Sequence, residues 1–306
     1  MRIFVSGATG VIGTRVLPLL IAAGHQVSAS GRTPEKRTAL KKLGVTALDV
    51  DLFDPEHARR ALAGQQAVIN LATHIPPASK ILMPGAWREN DRVRQGISSV
   101  LTRIAIEEGV QTYIQESFAP AYEDAGDNWI DETAPPRPAS YNRSMLDAES
   151  VTQNFAASGR TGIILRFGLF YGPDAEQNEV MLQTLRKGWA PMPGRSDAFM
   201  SSVSHDDAAS AVVAALKAKS GAYNIVDDEP LRRGDLFNFL AGYLGVKQPK
   251  FLPVWTSYLL GSVGRLIARS QRISNHKFRA ETFWKPIYPS AKEGWEDILG
   301  SKAKAA

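Results

Sequence analysis

Three glycines near the amino end could do chemistry. The run Gly7-Ala8-Thr9-Gly10-Val11-Ile12-Gly13 follows an apolar stretch at 2–6 and opens a helix-periodic stretch at 11–23. A strand that turns sharply into a helix needs a residue without a Cβ at the turn. The first amides of that helix have no partner inside it, and its dipole is positive at that end. An anion able to approach the backbone closely is therefore held there by N–H groups. The GxxGxxG spacing in this strand–turn–helix context predicts a site for the pyrophosphate of a dinucleotide, lined by Gly7, Thr9, Gly10, Val11, Ile12 and Gly13. The alternative is a purely structural glycine turn.

The end of the next strand selects the nucleotide. A ribose 2′-hydroxyl favours an acidic residue there, whereas a 2′-phosphate favours arginine and small polar groups. The sequence reads Ser28-Ala29-Ser30-Gly31-Arg32-Thr33-Pro34-Glu35-Lys36, with no carboxylate before Glu35. Arg32 stands where a guanidinium would pair with a phosphate. NADP(H) is the favoured cofactor and NAD(H) the possible one, with Arg32 as a solvated loop residue in the latter case.

Further elements must hold these residues in place. Apolar runs at 26–30, 45–49, 67–71, 112–117 and 162–167 alternate with helical patterns at 34–43, 55–63, 86–108 and 140–157. Such alternation predicts a doubly wound parallel sheet with helices on both faces, an α/β fold of the Rossmann type. Residues 1–167 form the expected dinucleotide domain. Residues 203–227 return to it through a helix at 206–217, capped by Ser204 or His205, and a strand at 222–226. Residues 168–202 and 228–306 form the expected smaller substrate-binding lobe. The Pro-, Asp- and Gly-rich stretch 118–139 reads as a long loop, a length associated with function. The apolar window 251–268 contains Pro253, Gly261, Gly264 and Arg265 and reads as one buried or lobe-covering helix, not a membrane span.

Bulk properties narrow the class. The chain has 306 residues, a net charge of +5, no cysteine and five histidines without metal-binding spacing. Disulfides and thiolate chemistry are thereby excluded, and no metal site is expected. No basic stripe suggests nucleic acid. The expectation is a cytoplasmic protein with a small-molecule substrate, no membrane or nucleic-acid partner, and possible homo-oligomerisation.

Several stretches together resemble the extended and atypical short-chain dehydrogenase/reductase superfamily, also described as NAD-dependent epimerase/dehydratase-like. They are the glycine turn, Asp51-Leu52-Phe53-Asp54, Val68-Ile69-Asn70-Leu71-Ala72-Thr73, 165–173, Ser204-His205-Asp206-Asp207-Ala208-Ala209 and 283–289. The resemblance covers nearly the whole chain. It implies that Asp51 and Leu52 lie beside the adenine and that Leu71, Ala72 and Thr73 pass along the cofactor.

It also implies catalysis by a Ser or Thr, a Tyr and a Lys. Ser117 and Tyr141 match the first two, with Tyr141 also against the cofactor. The position four residues after Tyr141 is Met145, whose thioether carries no charge and donates no hydrogen bond. Three readings stay open: Tyr141 acts as a neutral proton donor, another cation such as Arg143 or a more distant one replaces the lysine, or cofactor binds without turnover. Tyr122, Asp124, Trp129, Trp87 and Arg88 are candidate substrate contacts, and Arg166 is a strand charge that needs a partner. The leading expectation is an NAD(P)-dependent oxidoreductase moving hydride to or from a carbonyl or alcohol carbon. A nucleotide-sugar epimerase or dehydratase with tightly held NAD, and a non-catalytic NADP(H) sensor or scaffold, are the alternatives.

Overall fold

The computed structural model describes residues 1–83, 85–173 and 176–305. Its centre is a seven-stranded sheet made of β1 (Arg2–Ser6), β2 (Gln26–Ser30), β3 (Thr46–Leu48), β4 (Ala67–Asn70), β5 (Thr112–Phe118), β6 (Thr161–Phe167) and β7 (Gly221–Ile225). The spatial order is β7-β6-β5-β4-β1-β2-β3, with every pairing parallel. From β1 the chain winds outward to β3, then returns to β4 on the other side of β1. That reversal opens a crevice above the carboxyl ends of β1 and β4, where such folds bind ligands.

Strand alternation builds both layers. Ile3 and Val5 pack with Val16, Leu17 and Leu20 of α1 (Gly13–Ala22), while Phe4 packs on the opposite face. There it meets residues of α3 (Pro55–Leu62), α5 (Ser98–Glu107) and α6 (Ser144–Ala157). Burying a side chain of Phe4's size contributes about 1.5–3 kcal/mol. Local signals set the helix starts. The Thr33 side chain accepts from the Lys36 amide at the head of α2 (Pro34–Lys42), and Asp54 accepts from Glu56 and His57 at the head of α3. Ser204 caps α8 (His205–Ala214) by accepting from Asp207, so the cap is Ser204 rather than His205.

A further cluster of buried side chains lies outside the central sheet. Tyr171, Leu182, Leu185, Phe237, Leu240 and Trp295 meet there. They come from the strand Leu169–Tyr171 and from α7 (Glu176–Arg186), α9 (Arg233–Tyr243) and α13 (Ala291–Ala305).

Three departures from the periodic pattern matter for the site. The helix expected at 86–108 is split into α4 (Arg88–Arg92), a π turn (Val93–Ile97) and α5. Gly96 lies in that turn, and a Cβ there would come within 2.8 Å of the Phe53 ring. The helix expected from 140 starts later: Ser140–Asn142 is a 3₁₀ turn and α6 begins at Ser144. The window 251–268 is neither one helix nor buried throughout. It folds as α10 (Thr256–Leu259) and α11 (Gly261–Ile267), separated at Gly261, whose φ is 63°. Trp255, Tyr258 and Leu259 are exposed, while Val263 and Leu266 are buried. The apolar content of this window therefore serves two environments. Among the described residues no helix is long and apolar enough to cross a membrane.

Candidate active site

The glycine turn has the geometry its sequence requires. Gly7 has φ 74°, and a Cβ on it would lie 2.5 Å from the Leu71 carbonyl and 2.7 Å from the Ala72 amide. The turn after β1 is thus pressed against the segment leaving β4, bringing Gly7 together with Leu71 and Ala72. Gly13 is equally confined, since a Cβ there would collide with Gly7 and Ala8 backbone. Gly10 differs. It is exposed, and an added Cβ would meet only the Gly7 carbonyl, at 3.2 Å. The protein gives little reason for glycine at that position, whereas a ligand lying on the turn does. The Val11, Ile12 and Gly13 amides have no acceptor among the described residues. The cradle therefore fits an anionic bridge.

A pair of substitutions separates these roles. Gly7→Ala should destabilise the fold by more than the ~1 kcal/mol typical of a point change, because both φ and space are wrong. Gly10→Ala should leave the urea midpoint nearly unchanged yet weaken NADPH binding about tenfold or more, read by calorimetry.

At the carboxyl end of β2, Arg32 is exposed and has no carboxylate within ion-pair distance among the described residues. Arg37 lies beside it and escaped the sequence reading. Its Nη1 donates to the Gly31 carbonyl at 2.9 Å and pairs with Asp49 at 2.9 Å. One helical turn separates Arg37 from the capping Thr33, which returns its side chain to the strand end. Two arginines therefore stand at the carboxyl end of β2, Arg32 without an acidic partner among the described residues and Arg37 paired with Asp49. Asp51 is exposed and its Oδ1 accepts from the Phe53 amide at 3.0 Å, while Leu52 is buried in the core. Thr9 and Thr73 are half-buried, Ile12 packs against the core and Val11 is exposed.

The two catalytic candidates part company. The Ser117 hydroxyl is buried and donates to Glu149 Oε1 at 2.6 Å. Glu149 accepts two further bonds from Arg166, at 2.8 and 2.6 Å. Arg166 also donates to the Tyr122 hydroxyl at 2.8 Å, which in turn donates to Asn224 at 2.9 Å. Arg166 thus has the partner it needs, and Ser117 and Tyr122 belong to the same buried network. This differs from the expectation that Ser117 serves a reacting oxygen and that Tyr122 meets substrate. Asp124 accepts from the Gly126 and Ser270 amides, and the exposed Trp129 lies under the Arg272 guanidinium at 4.1 Å.

Tyr141 lies on the 3₁₀ turn, with its ring centroid 4.5 Å from that of Trp87. Burial pushes its phenol up to about 12, opposed by the positive charges of Arg94 and then Arg269. Met145 is buried inside α6, and Arg143 is exposed. The cations that act on Tyr141 come from far along the chain. Arg94 stands in the π turn, buried, paired with Glu116 at 2.8 Å, and its Nε has no acceptor among the described residues. Neighbouring Gln95 donates to Asp147 of α6 at 2.7 Å, which ties the π turn to the helix after Tyr141.

Buried polar atoms without partners recur in the same elements: Asn90 Nδ2, Arg94 Nε and both amide atoms of Asn142. Such atoms cost about 1–3 kcal/mol each unless a water or ligand satisfies them. No single sequence motif carries them, because they converge only through the fold.

A parallel sheet with its glycine turn at the reversal of strand order defines a dinucleotide-binding protein. The profile described as NAD(P)H-binding matches residues 7–219, and the chain belongs to that family. A 3-diazoavenalumate denitrifying reductase from a Streptomyces species is 30% identical over 98% of this chain and 99% of its own. A 2-alkyl-3-oxoalkanoate reductase from Shewanella oneidensis is 28% identical over 85% of this chain and 70% of its own. The structure of Thermotoga maritima UDP-glucose 4-epimerase superposes with a TM-score of 0.79 at 22% identity, over 100% of this chain and 99% of that one. The fold is that of the Thermotoga maritima epimerase, and a relative matched over nearly its whole length is a reductase.

Proposed function

We propose that the protein is an NADPH-dependent reductase of a small carbonyl compound, with Tyr141 donating its proton to the substrate oxygen. One observation carries this reading. Tyr141 stands on the Ser140–Asn142 turn against Trp87, with no lysine one helical turn away and the positive charges of Arg94 and Arg269 acting on it from other elements. When bound on the glycine turn, the nicotinamide supplies the hydride. Gly7, Gly10 and the amides of Val11 to Gly13 hold the anionic bridge. Arg32, with Arg37 behind it, holds the 2′-phosphate and sets the preference for NADPH. Arg94 stabilises negative charge left on the phenol oxygen after proton donation, the role of the absent lysine. Ser117 keeps the strand end in place through Glu149.

Epimerisation at a sugar carbon would need the same phenol to begin as a base. A hydroxyl held near 12 is a poor base at neutral pH. The fold likeness to an epimerase therefore does not extend to the proton chemistry proposed here.

A panel of ketones and keto acids, read by NADPH absorbance, tests the activity. Arg32→Ala should raise the Kd for NADPH about tenfold and leave that for NADH within about twofold, as expected for loss of a guanidinium–phosphate pair. Equal losses for both cofactors would remove Arg32 from the 2′-phosphate site.

A further inference from the structure

Arg269 lies just beyond α11, which packs against both the Ala119–Ala121 turn and the Ser140–Asn142 turn that carries Tyr141. Its Nη1 donates to the Tyr122 carbonyl at 2.7 Å and the Arg137 carbonyl at 2.8 Å. The guanidinium is thereby fixed between the segment leaving β5 and the segment entering Tyr141. Its Nε and Nη2 have no acceptor among the described residues, and no carboxylate lies within ion-pair distance of it there.

The nearest acids are otherwise engaged. Glu123 faces Arg137 at 3.8 Å, and Asp124 accepts from the Gly126 and Ser270 amides at 3.0 Å each. Arg94 differs, because Glu116 already balances its charge. A half-buried guanidinium held by carbonyls alone lacks the counter-charge that such groups acquire on binding. Burial also lowers its pKa, opposed by the more distant Glu123, Asp124 and Tyr141.

The surfaces around it are apolar. Trp87 lies tilted against Tyr141 and donates to the Ile81 carbonyl at 3.0 Å, and Leu82 and Met83, next in the chain, are exposed. In α10, which precedes α11 and packs on it, Trp255, Tyr258 and Leu259 are exposed.

We propose that the substrate is an apolar carboxylic acid, its carboxylate paired with Arg269 and its aryl or alkyl body against Trp87 beside Tyr141. The proposal rests on the reading of Tyr141 as the reacting group, since it orients the substrate from that residue. It is a statement about binding, so it can fail separately.

Calorimetric titration of the NADP⁺-loaded protein with 3-phenylpropanoate and with neutral 3-phenylpropanamide tests it. The acid should bind at least about tenfold more tightly than the amide, as a charge-assisted bidentate pair requires. The difference should vanish in Arg269→Gln and persist, reduced, in Arg269→Lys, with NADP⁺ affinity unchanged in both. Equal affinity of acid and amide for the unaltered protein, no binding of either at millimolar concentration, or an acid preference that survives Arg269→Gln would overturn it. The unaltered protein's comparison decides the matter even if a variant fails to fold. Turnover of ketones without acid preference would sink Arg269 and spare the reductase reading. Acid preference with no turnover of any carbonyl would do the reverse.

Discussion

Tyr141→Phe should lower the rate of NADPH-dependent reduction by about 10²- to 10⁴-fold, the range a positioned general acid contributes. The Kd for NADPH should stay within about twofold of the parent value. The substitution removes one oxygen and leaves the ring, so the contact with Trp87 at 4.5 Å is kept. Pre-steady-state reduction followed by NADPH absorbance would check the rate, and calorimetry the binding. A phenylalanine protein with undiminished turnover would move proton donation to another group.

The same assignment fixes a pH dependence. Burial holds the phenol near 12 despite Arg94 and Arg269. The proton donor is therefore the form present throughout the neutral range, and its supply is lost only as pH rises through the folded value. Reduction should show no Tyr141 titration between about pH 6 and about pH 9. Alcohol oxidation needs the ionised phenol. At pH 8 that form amounts to about one molecule in ten thousand for such a pKa, so the oxidative rate should climb tenfold per pH unit. Met145 explains why the charge must come from elsewhere. It is buried within α6, and its thioether carries no charge and donates no hydrogen bond.

The central sheet was legible because each strand and helix repeats its own period. The glycine turn was legible because Gly7, Gly10 and Gly13 follow β1 within a few residues. Arg37 could have been found by counting one turn from Thr33. Arg94 and Arg269 could not, since they reach Tyr141 only when α4, the π turn and α11 fold around it. Nor was the π turn visible in the periodic pattern, and the close approach of its Gly96 to Phe53 joins residues far apart in the chain. The short strands outside the central sheet were missed for a related reason. Trp129–Ile130 pairs with Arg272–Ile273, and Phe199–Met200 with Leu231–Arg232, over two residues each, too few for alternation to show.

Ser117 shows why a motif match misleads about role. Its spacing to Tyr141 is that of a catalytic pair, yet its hydroxyl is spent on Glu149. The consequence is a large effect on stability rather than chemistry. Arg166→Met should destabilise the protein by about 3–5 kcal/mol, the cost of removing one member of a buried ion pair. Side-chain exposures of 6% for Arg166 and 3% for Glu149 leave almost no water to compensate the abandoned carboxylate. The loss would also free the Tyr122 hydroxyl, which now accepts from Arg166 while donating to Asn224. Four elements are tied at this point: β5 through Ser117, α6 through Glu149, β6 through Arg166 and β7 through Asn224. Glu149→Leu alone should cost a similar amount by stranding the guanidinium. The double variant should recover much of either loss, because an apolar pair carries no desolvation penalty. Urea denaturation of the four proteins gives the coupling directly. Additive losses in the double variant would show that the pair acts as two separate packing contacts. At temperatures well below unfolding, Arg166→Met should keep most of its reductase rate, since among the described residues the pair's hydrogen bonds run to Ser117 and Tyr122 rather than to Tyr141 or Arg94.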